Sequence, residues 1–175
     1  MASRTVVLVE GESDRVALEA LAARTGTDLS AAGAAVVPMG GVTNLRRHLA
    51  DLAGEPRVVV LHDAGETPYV RRTLERVAGP PPECFVCDRD LEDELVRALG
   101  LPRVLDVVEA AGDITAWHTL TNQPFHRGRP DVDVLRRFWG TTSGRKERYA
   151  RLLVEALDPD AAPTPLAGAL AAATG

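Results

Sequence analysis

Apolar residues fall into two rhythms along this chain. In the first half they form short unbroken runs, Val-Val-Leu-Val at residues 6–9, a second at 34–38, Val-Val-Val-Leu at 58–61 and Cys-Phe-Val-Cys at 84–87. Such runs, rich in β-branched residues, suit strands buried on both faces of a parallel sheet. Between them lie helical stretches: residues 14–24 with Ser13 as the expected N-cap, residues 44–52 with Thr43 as the expected cap, and a helix from about Pro68, proline being favoured in a first helical turn. From Leu95 onward the rhythm becomes helical, over 95–99, 104–108, 135–139 and 149–157, with breaks at 100–102, 122–130 and 140–144. The pattern predicts an α/β fold, a Rossmann-like parallel sheet flanked by helices over residues 2–100, with a helical C-terminal extension over 101–175. The Ala-rich tail, residues 161–174, is expected to fray. Trp117, Phe138 and Trp139 sit at helical positions among aliphatics and read as core.

Composition narrows the class. A chain of 175 residues supports one well-cored domain. It has no apolar run approaching the roughly 18 to 20 residues that cross a bilayer, and no basic segment leading into an apolar leader. A cytoplasmic, non-membrane protein is therefore expected. Cys84 and Cys87 form a lone C-x-x-C, but three residues apart on a strand they face opposite ways and are read as ordinary cysteines. No G-x-x-x-x-G-K-[ST] spacing occurs, so the sequence offers no ATPase loop of its own.

The net charge of −5 hides an asymmetry. Residues 127–151 carry Arg127, Arg129, Arg136, Arg137, Arg145, Lys146, Arg148 and Arg151 against Asp131, Asp133 and Glu147, so this stretch is +5 and the remainder −10. A basic stretch beside an acidic region suits a polyanion bound at a cation site, while solvated basic helices are the plain alternative. Nineteen arginines accompany a single lysine, Lys146. A compact ammonium differs chemically from a guanidinium fork, which marks Lys146 as a position where a point charge is needed.

Carboxylates end the strand-like runs. Glu10-Gly11 follows the first, and the next helix brings Asp14 into its opening turn, so two acids converge at the carboxyl edge of the expected sheet, where open α/β sheets place ligands. Asp63 ends the third run, and the fourth leads into five acids within residues 88–94. Leu-Val-Glu-Gly-Glu-Ser-Asp at 8–14 resembles the opening of a Toprim domain, the topoisomerase-primase metal fold, in the version found in overcoming-lysogenization-defect (OLD) nucleases. Asp90-Leu91-Glu92 is similar to the D-x-E pair of that family, and Gly144-Arg145-Lys146 fits the place of its downstream catalytic lysine. The family's D-x-D departs here to Asp63-Ala64-Gly65, with Glu66 one residue late as the candidate replacement.

The resemblance implies a divalent-metal-dependent nuclease acting on DNA, with Glu10 and Lys146 catalytic, Glu10, Asp14, Asp63, Asp90 and Glu92 (and Glu66 as the stand-in) around Mg²⁺ or Mn²⁺, and Arg127, Arg129, Arg136, Arg137, Arg145 and Arg148 on the nucleic acid. OLD nucleases carry an ATPase ahead of the Toprim domain. This sequence opens almost at the Toprim strand, so a separate ATPase chain is a partner the resemblance leaves open, as is the oligomeric state. A rival reading is a non-catalytic module that binds nucleic acid or a partner ATPase, because Gly65 replaces the second Asp. A phosphoacceptor receiver domain using Asp63 is disfavoured, since its lysine ends a fifth strand and Lys146 opens a helical stretch.

Overall fold

The structure, a computed structural model, describes residues 5–52, 57–77 and 79–175. Residues 2–4, the start of the expected Toprim unit, lie outside the described residues. Four strands form one parallel sheet: β1 (Thr5–Val9), β2 (Ala34–Pro38), β3 (Arg57–Asp63) and β4 (Glu83–Cys87), in the order β2-β1-β3-β4. Every strand is parallel to its neighbour, with Leu8 opposite Val37 on one side and Val60 on the other, and Asp63 opposite Cys87. The unbroken apolar runs are explained by helices on both faces, since β1 is buried along its whole length.

Alternation within the strands sorts side chains between two cores. Val6, Leu8 and Val60 face α2 (Leu45–Asp51) and α3 (Thr67–Leu74), packing with Leu45, Leu49 and Val70. Val7, Val9, Val59 and Leu61 face the larger core, which contains α1 (Glu12–Arg24) and most of the second half of the chain. There α4 (Leu91–Leu99), α5 (Leu101–Ala110), α6 (Ile114–Thr121), α7 (Asp131–Gly140) and α8 (Arg145–Ala156) follow one another, and α8 lies along α1. Trp117, Phe138 and Trp139 are buried in this core, as expected, together with Tyr149. Cys87 is buried and Cys84 exposed, on opposite faces of β4.

The Ala-rich tail does not fray. It forms α9 (Thr164–Thr174), laid across β4, β3 and β1 with Leu166, Ala169, Leu170 and Ala173 buried. Small side chains let this helix lie close on the sheet. A Cβ on Gly168 would collide with the Phe85 ring. None of the described helices is long and apolar enough to cross a membrane.

Candidate metal centre

The carboxyl ends of β1 and β3 and the start of α4 meet at one edge of the sheet. Glu10 follows β1 directly, Asp63 is the last residue of β3, and Asp90 begins the helix that follows β4, so the three expected acids come to neighbouring strands on the same edge. A pocket of about 230 Å³ opens there, lined by Glu10, Asp14, Asp63, Glu92 and Lys146.

Local structure explains how each acid is presented. Gly11, not Ser13, caps α1, and its N–H donates to Asp14 Oδ2 at 2.7 Å; Ser13 is buried inside the first turn. That bond turns Asp14 back toward Glu10. The segment after β2 wraps this corner, with the Gly41 N–H donating to the Glu10 carbonyl at 3.0 Å. Gly40 and Gly41 have φ of 70° and 107°, which side chains rarely adopt, so two glycines are what the bend requires and their bare backbone lines the pocket. Thr43 caps nothing; a short 3₁₀ turn, Val42–Asn44, leads into α2, and Asn44 donates to the Met39 and Gly40 carbonyls.

The acidic run after β4 divides among partners. Asp88, Asp93 and Glu94 converge on Arg97. Asp90 accepts the Asp93 N–H at 2.8 Å as the N-cap of α4 and ion-pairs with Arg136. Glu92 alone of the five reaches the pocket, where its Oε1 meets Lys146 Nζ at 3.0 Å. Asp90 thus stands behind the pocket wall rather than in it. Glu66 sits in the 3₁₀ turn before α3, close enough to Glu10 to raise its pKa.

Electrostatics set this edge apart. Burial, followed by the charges of Glu10, Asp14, Asp90 and Glu92, pushes the Asp63 carboxyl up to about 7. Burial also raises Asp14 to about 6, against the opposing pull of the Gly11 hydrogen bond. Burial and then Glu66 raise Glu10. Burial pulls the Lys146 ammonium down, but Glu92, Asp14 and Asp90 outweigh it and the net shift is upward.

The donor set fits a hard divalent cation. All candidate ligands are oxygens, and Glu10 Oε2 is buried without any hydrogen-bond partner. Like charges held together without a compensating donor are what a cation relieves. Among the described residues no three His, Cys, Asp or Glu side chains close into a ready-made cage. They surround the pocket instead, consistent with an ion that takes one or two carboxylates and keeps its waters.

The expected nucleic-acid contacts divide as well. Arg127, Arg129 and Arg137 are exposed, with Arg129 stacked on the Phe125 ring at 3.9 Å. Arg136 is tied to Asp90. Arg145 lies over the Phe138 ring at 4.4 Å and donates to the Phe138 carbonyl, while Arg148 donates to Asp113 and the Ala111 carbonyl. Arg145 and Arg148, expected on the nucleic acid, are thus also engaged within the fold. The sequence reading passed over Asp113, which also accepts the Tyr149 hydroxyl at 2.9 Å and so fixes α8, and with it Lys146. Its only signal was an acid at a helix start, shared with many solvated acids.

Comparison with known proteins bears on the fold that carries this edge. Residues 1–64 match the family model described as "Overcoming lysogenization defect protein-like, TOPRIM domain". The whole chain is similar in structure to the C-terminal region of the Burkholderia pseudomallei OLD protein, with a TM-score of 0.71, 22% identity and coverage of 99% of this chain and 98% of that one. It is also similar to the C-terminal region of the Xanthomonas campestris pv. campestris OLD protein, with a TM-score of 0.68, 26% identity and coverage of 98% and 95%. Among curated proteins none matches the sequence. The chain therefore carries an OLD-like Toprim segment over residues 1–64 and, along nearly its whole length, shares the fold of the C-terminal region of OLD proteins.

Proposed function

We propose that this protein is a divalent-metal-dependent hydrolase of phosphodiester bonds in DNA, of the OLD Toprim type. Toprim domains generally bind divalent metal ions and act on nucleic acid. The observation that carries the reading is the convergence on Asp63: the charges of Glu10, Asp14, Asp90 and Glu92 all bear on its carboxyl, in a pocket where the one cation among the described residues is the chain's one lysine.

In this reading Glu10, Asp14, Asp63 and Glu92 hold the ion, with Glu66 as the added oxygen in place of the missing Asp at Gly65. Asp90 holds the start of α4, and through it Glu92, in place. Bound there, Mg²⁺ or Mn²⁺ would polarise a phosphoryl oxygen and make a bound water acidic enough to lose its proton near neutral pH. Glu10, with a raised pKa and one unpartnered oxygen, suits the acceptance of that proton. Lys146, kept charged by Glu92, places an ammonium at the mouth of the pocket to offset charge building on the phosphate.

The second reading, a module that binds nucleic acid or a partner ATPase without cleaving, draws on Gly65 and on the absence of a closed carboxylate cage among the described residues. A plasmid-nicking assay with Mg²⁺, Mn²⁺ or chelator separates the two. Cleavage is expected with metal only. Asp63→Asn and Lys146→Arg are each expected to lower it about a hundredfold or more while DNA affinity is kept, because the guanidinium fork cannot occupy the point an ammonium does. Absence of metal-dependent cleavage by the unaltered protein, on single- and double-stranded DNA, selects the second reading.

A further inference from the structure

Arginines in this fold divide by whether an acid holds them. Arg15, Arg57, Arg89, Arg97, Arg103, Arg136, Arg145 and Arg148 each ion-pair with a carboxylate. On the opposite face of the sheet from α8, Arg46 and Arg47 of α2 and Arg71, Arg72 and Arg76 on and just after α3 are exposed, and among the described residues none of the five has a carboxylate partner. Three of them, Arg46, Arg72 and Arg76, line a pocket of about 360 Å³ with Tyr69 and the buried Thr73. No acid lines it.

This pocket and the acidic one share a segment of chain. Gly40 and Gly41 line the acidic pocket, and Thr43, two residues on, accepts the Tyr69 hydroxyl at 2.9 Å. Tyr69 in turn lines the arginine pocket. The arginine pocket is therefore joined to the carboxyl edge of the sheet at its Arg46 and Tyr69 end, with Arg72 and Arg76 further along α3.

We infer that the Arg46–Arg72–Arg76 pocket is a binding site for the phosphate backbone of DNA, holding the strand on the α2–α3 side of the acidic pocket. The inference rests on the reading of the chain as a DNA-binding protein and adds the surface that engages the backbone. Guanidinium groups that no carboxylate of the described residues neutralises, and that converge on one cavity, suit the bidentate recognition of phosphate oxygens. In a chain of net charge −5, such a patch is also where a polyanion finds attraction.

The test is fluorescence anisotropy of a short labelled DNA duplex against salt, in chelator, comparing the unaltered protein with the combined Arg46→Ala, Arg72→Ala and Arg76→Ala variant. Affinity is expected to fall about tenfold to a hundredfold and the salt slope by about two to three units. The combined lysine variant at the same three positions is expected to keep the slope, which separates charge from structure. The inference is overturned if the alanine variant binds DNA with unchanged affinity and slope, an outcome that leaves the nuclease reading intact, or if it loses affinity only for a polyglutamate probe. No DNA binding by the unaltered protein at low salt overturns both. Loss of binding in the variant, together with an unaltered protein that binds but never cleaves, supports the site and removes the nuclease.

Discussion

The α7–α8 region and the α2–α3 pair are both rich in arginine, yet they use it oppositely. On α7 and α8 four of the six cations are drawn to acids, Arg136 to Asp90, Lys146 to Glu92, and Arg145 and Arg148 to Asp113, while Arg137 and Arg151 stay exposed. Two of these arginines also fill a need at helix ends, where carbonyls lack intrahelical donors. Arg148 donates to Ala111 at the C-cap of α5, and Arg145 to Phe138 in the last turn of α7. On α2 and α3 no acid or orphan carbonyl of the described residues takes the arginine heads. A count of charge along the sequence cannot separate these cases. What decides between a structural cation and an available one is whether the fold brings an acceptor to it.

The comparison breaks most sharply at Asp113. Asp113→Ala leaves the buried Tyr149 hydroxyl without its acceptor and strips the carboxylate from the heads of Arg145 and Arg148, which keep their bonds to the Phe138 and Ala111 carbonyls. The loss is about 2–3 kcal/mol, or about 5 to 10 °C in Tm for a chain of this size. Two guanidinium groups then lose their neutralising acid, so DNA affinity at low salt is expected to rise even as stability falls. The pocket arginines behave in the reverse sense, lowering affinity with little change in Tm, since exposed side chains contribute little to folding. Thermal melts and salt titrations of the two variants side by side check this. A fall in DNA affinity for Asp113→Ala, with the fold intact, would mean that Arg145 and Arg148 already serve as phosphate contacts.

These two regions also mark the limits of what residue order reveals. The strand ends at Glu10 and Asp63 were legible because unbroken β-branched runs that stop at an acid leave few other structures open. Lys146 was legible because it is the chain's only lysine. The role of Asp90 was legible only in part: its place after β4 followed from the pattern, but its capture by Arg136 depends on a helix more than forty residues later. The docking of α9 was hidden because Ala-rich sequence reads the same whether it frays or packs, and it is the ring of Phe85 against Gly168 that shows the difference. Ser13 and Thr43 were expected as caps on local propensity. In the fold Gly11 and a 3₁₀ turn take those places, because the chain must bend sharply to bring Asp14 and Gly41 back against Glu10.

The acidic pocket between the regions gives a smaller effect, readable by pH. Asp63 titrates near 7 in the fold against an ordinary carboxyl value of 3.8. Between these values the folded state binds more protons than the unfolded one, so this group lowers stability as pH rises, and the penalty is complete above about 7. A divalent cation that relieves it is therefore most effective on the alkaline side, and on the acid side it must first displace the proton. With Mn²⁺ at about a hundredfold its Kd, a Tm gain of about 5 to 10 °C is expected near pH 8, and a gain a few degrees smaller near pH 5. A gain that is equal at both values would place the ion away from Asp63.

The smallest expected effect comes from giving the acid-poor side an acid. Gly65 lies in the 3₁₀ turn that opens α3, its φ is not in the left-handed region, and a Cβ there meets nothing within 4 Å. Gly65→Asp therefore adds a carboxylate two residues from Asp63 at little steric cost, in a first turn where acids are favoured. Two acceptances of that charge are distinguishable. If it joins Glu10 and Asp63 at the pocket, Mn²⁺ affinity by calorimetry rises by about threefold to tenfold, and DNA binding in chelator falls only slightly through added repulsion. If an α3 arginine captures it, metal affinity stays put while DNA affinity and the salt slope both fall, the slope by about one unit. The first outcome is expected, because Glu66 beside it already acts on Glu10 while Arg71 and Arg72 lie a turn further along the helix. The second would show that the α2–α3 arginines are available only for want of a nearby acid, and that a single substitution moves them into the paired class.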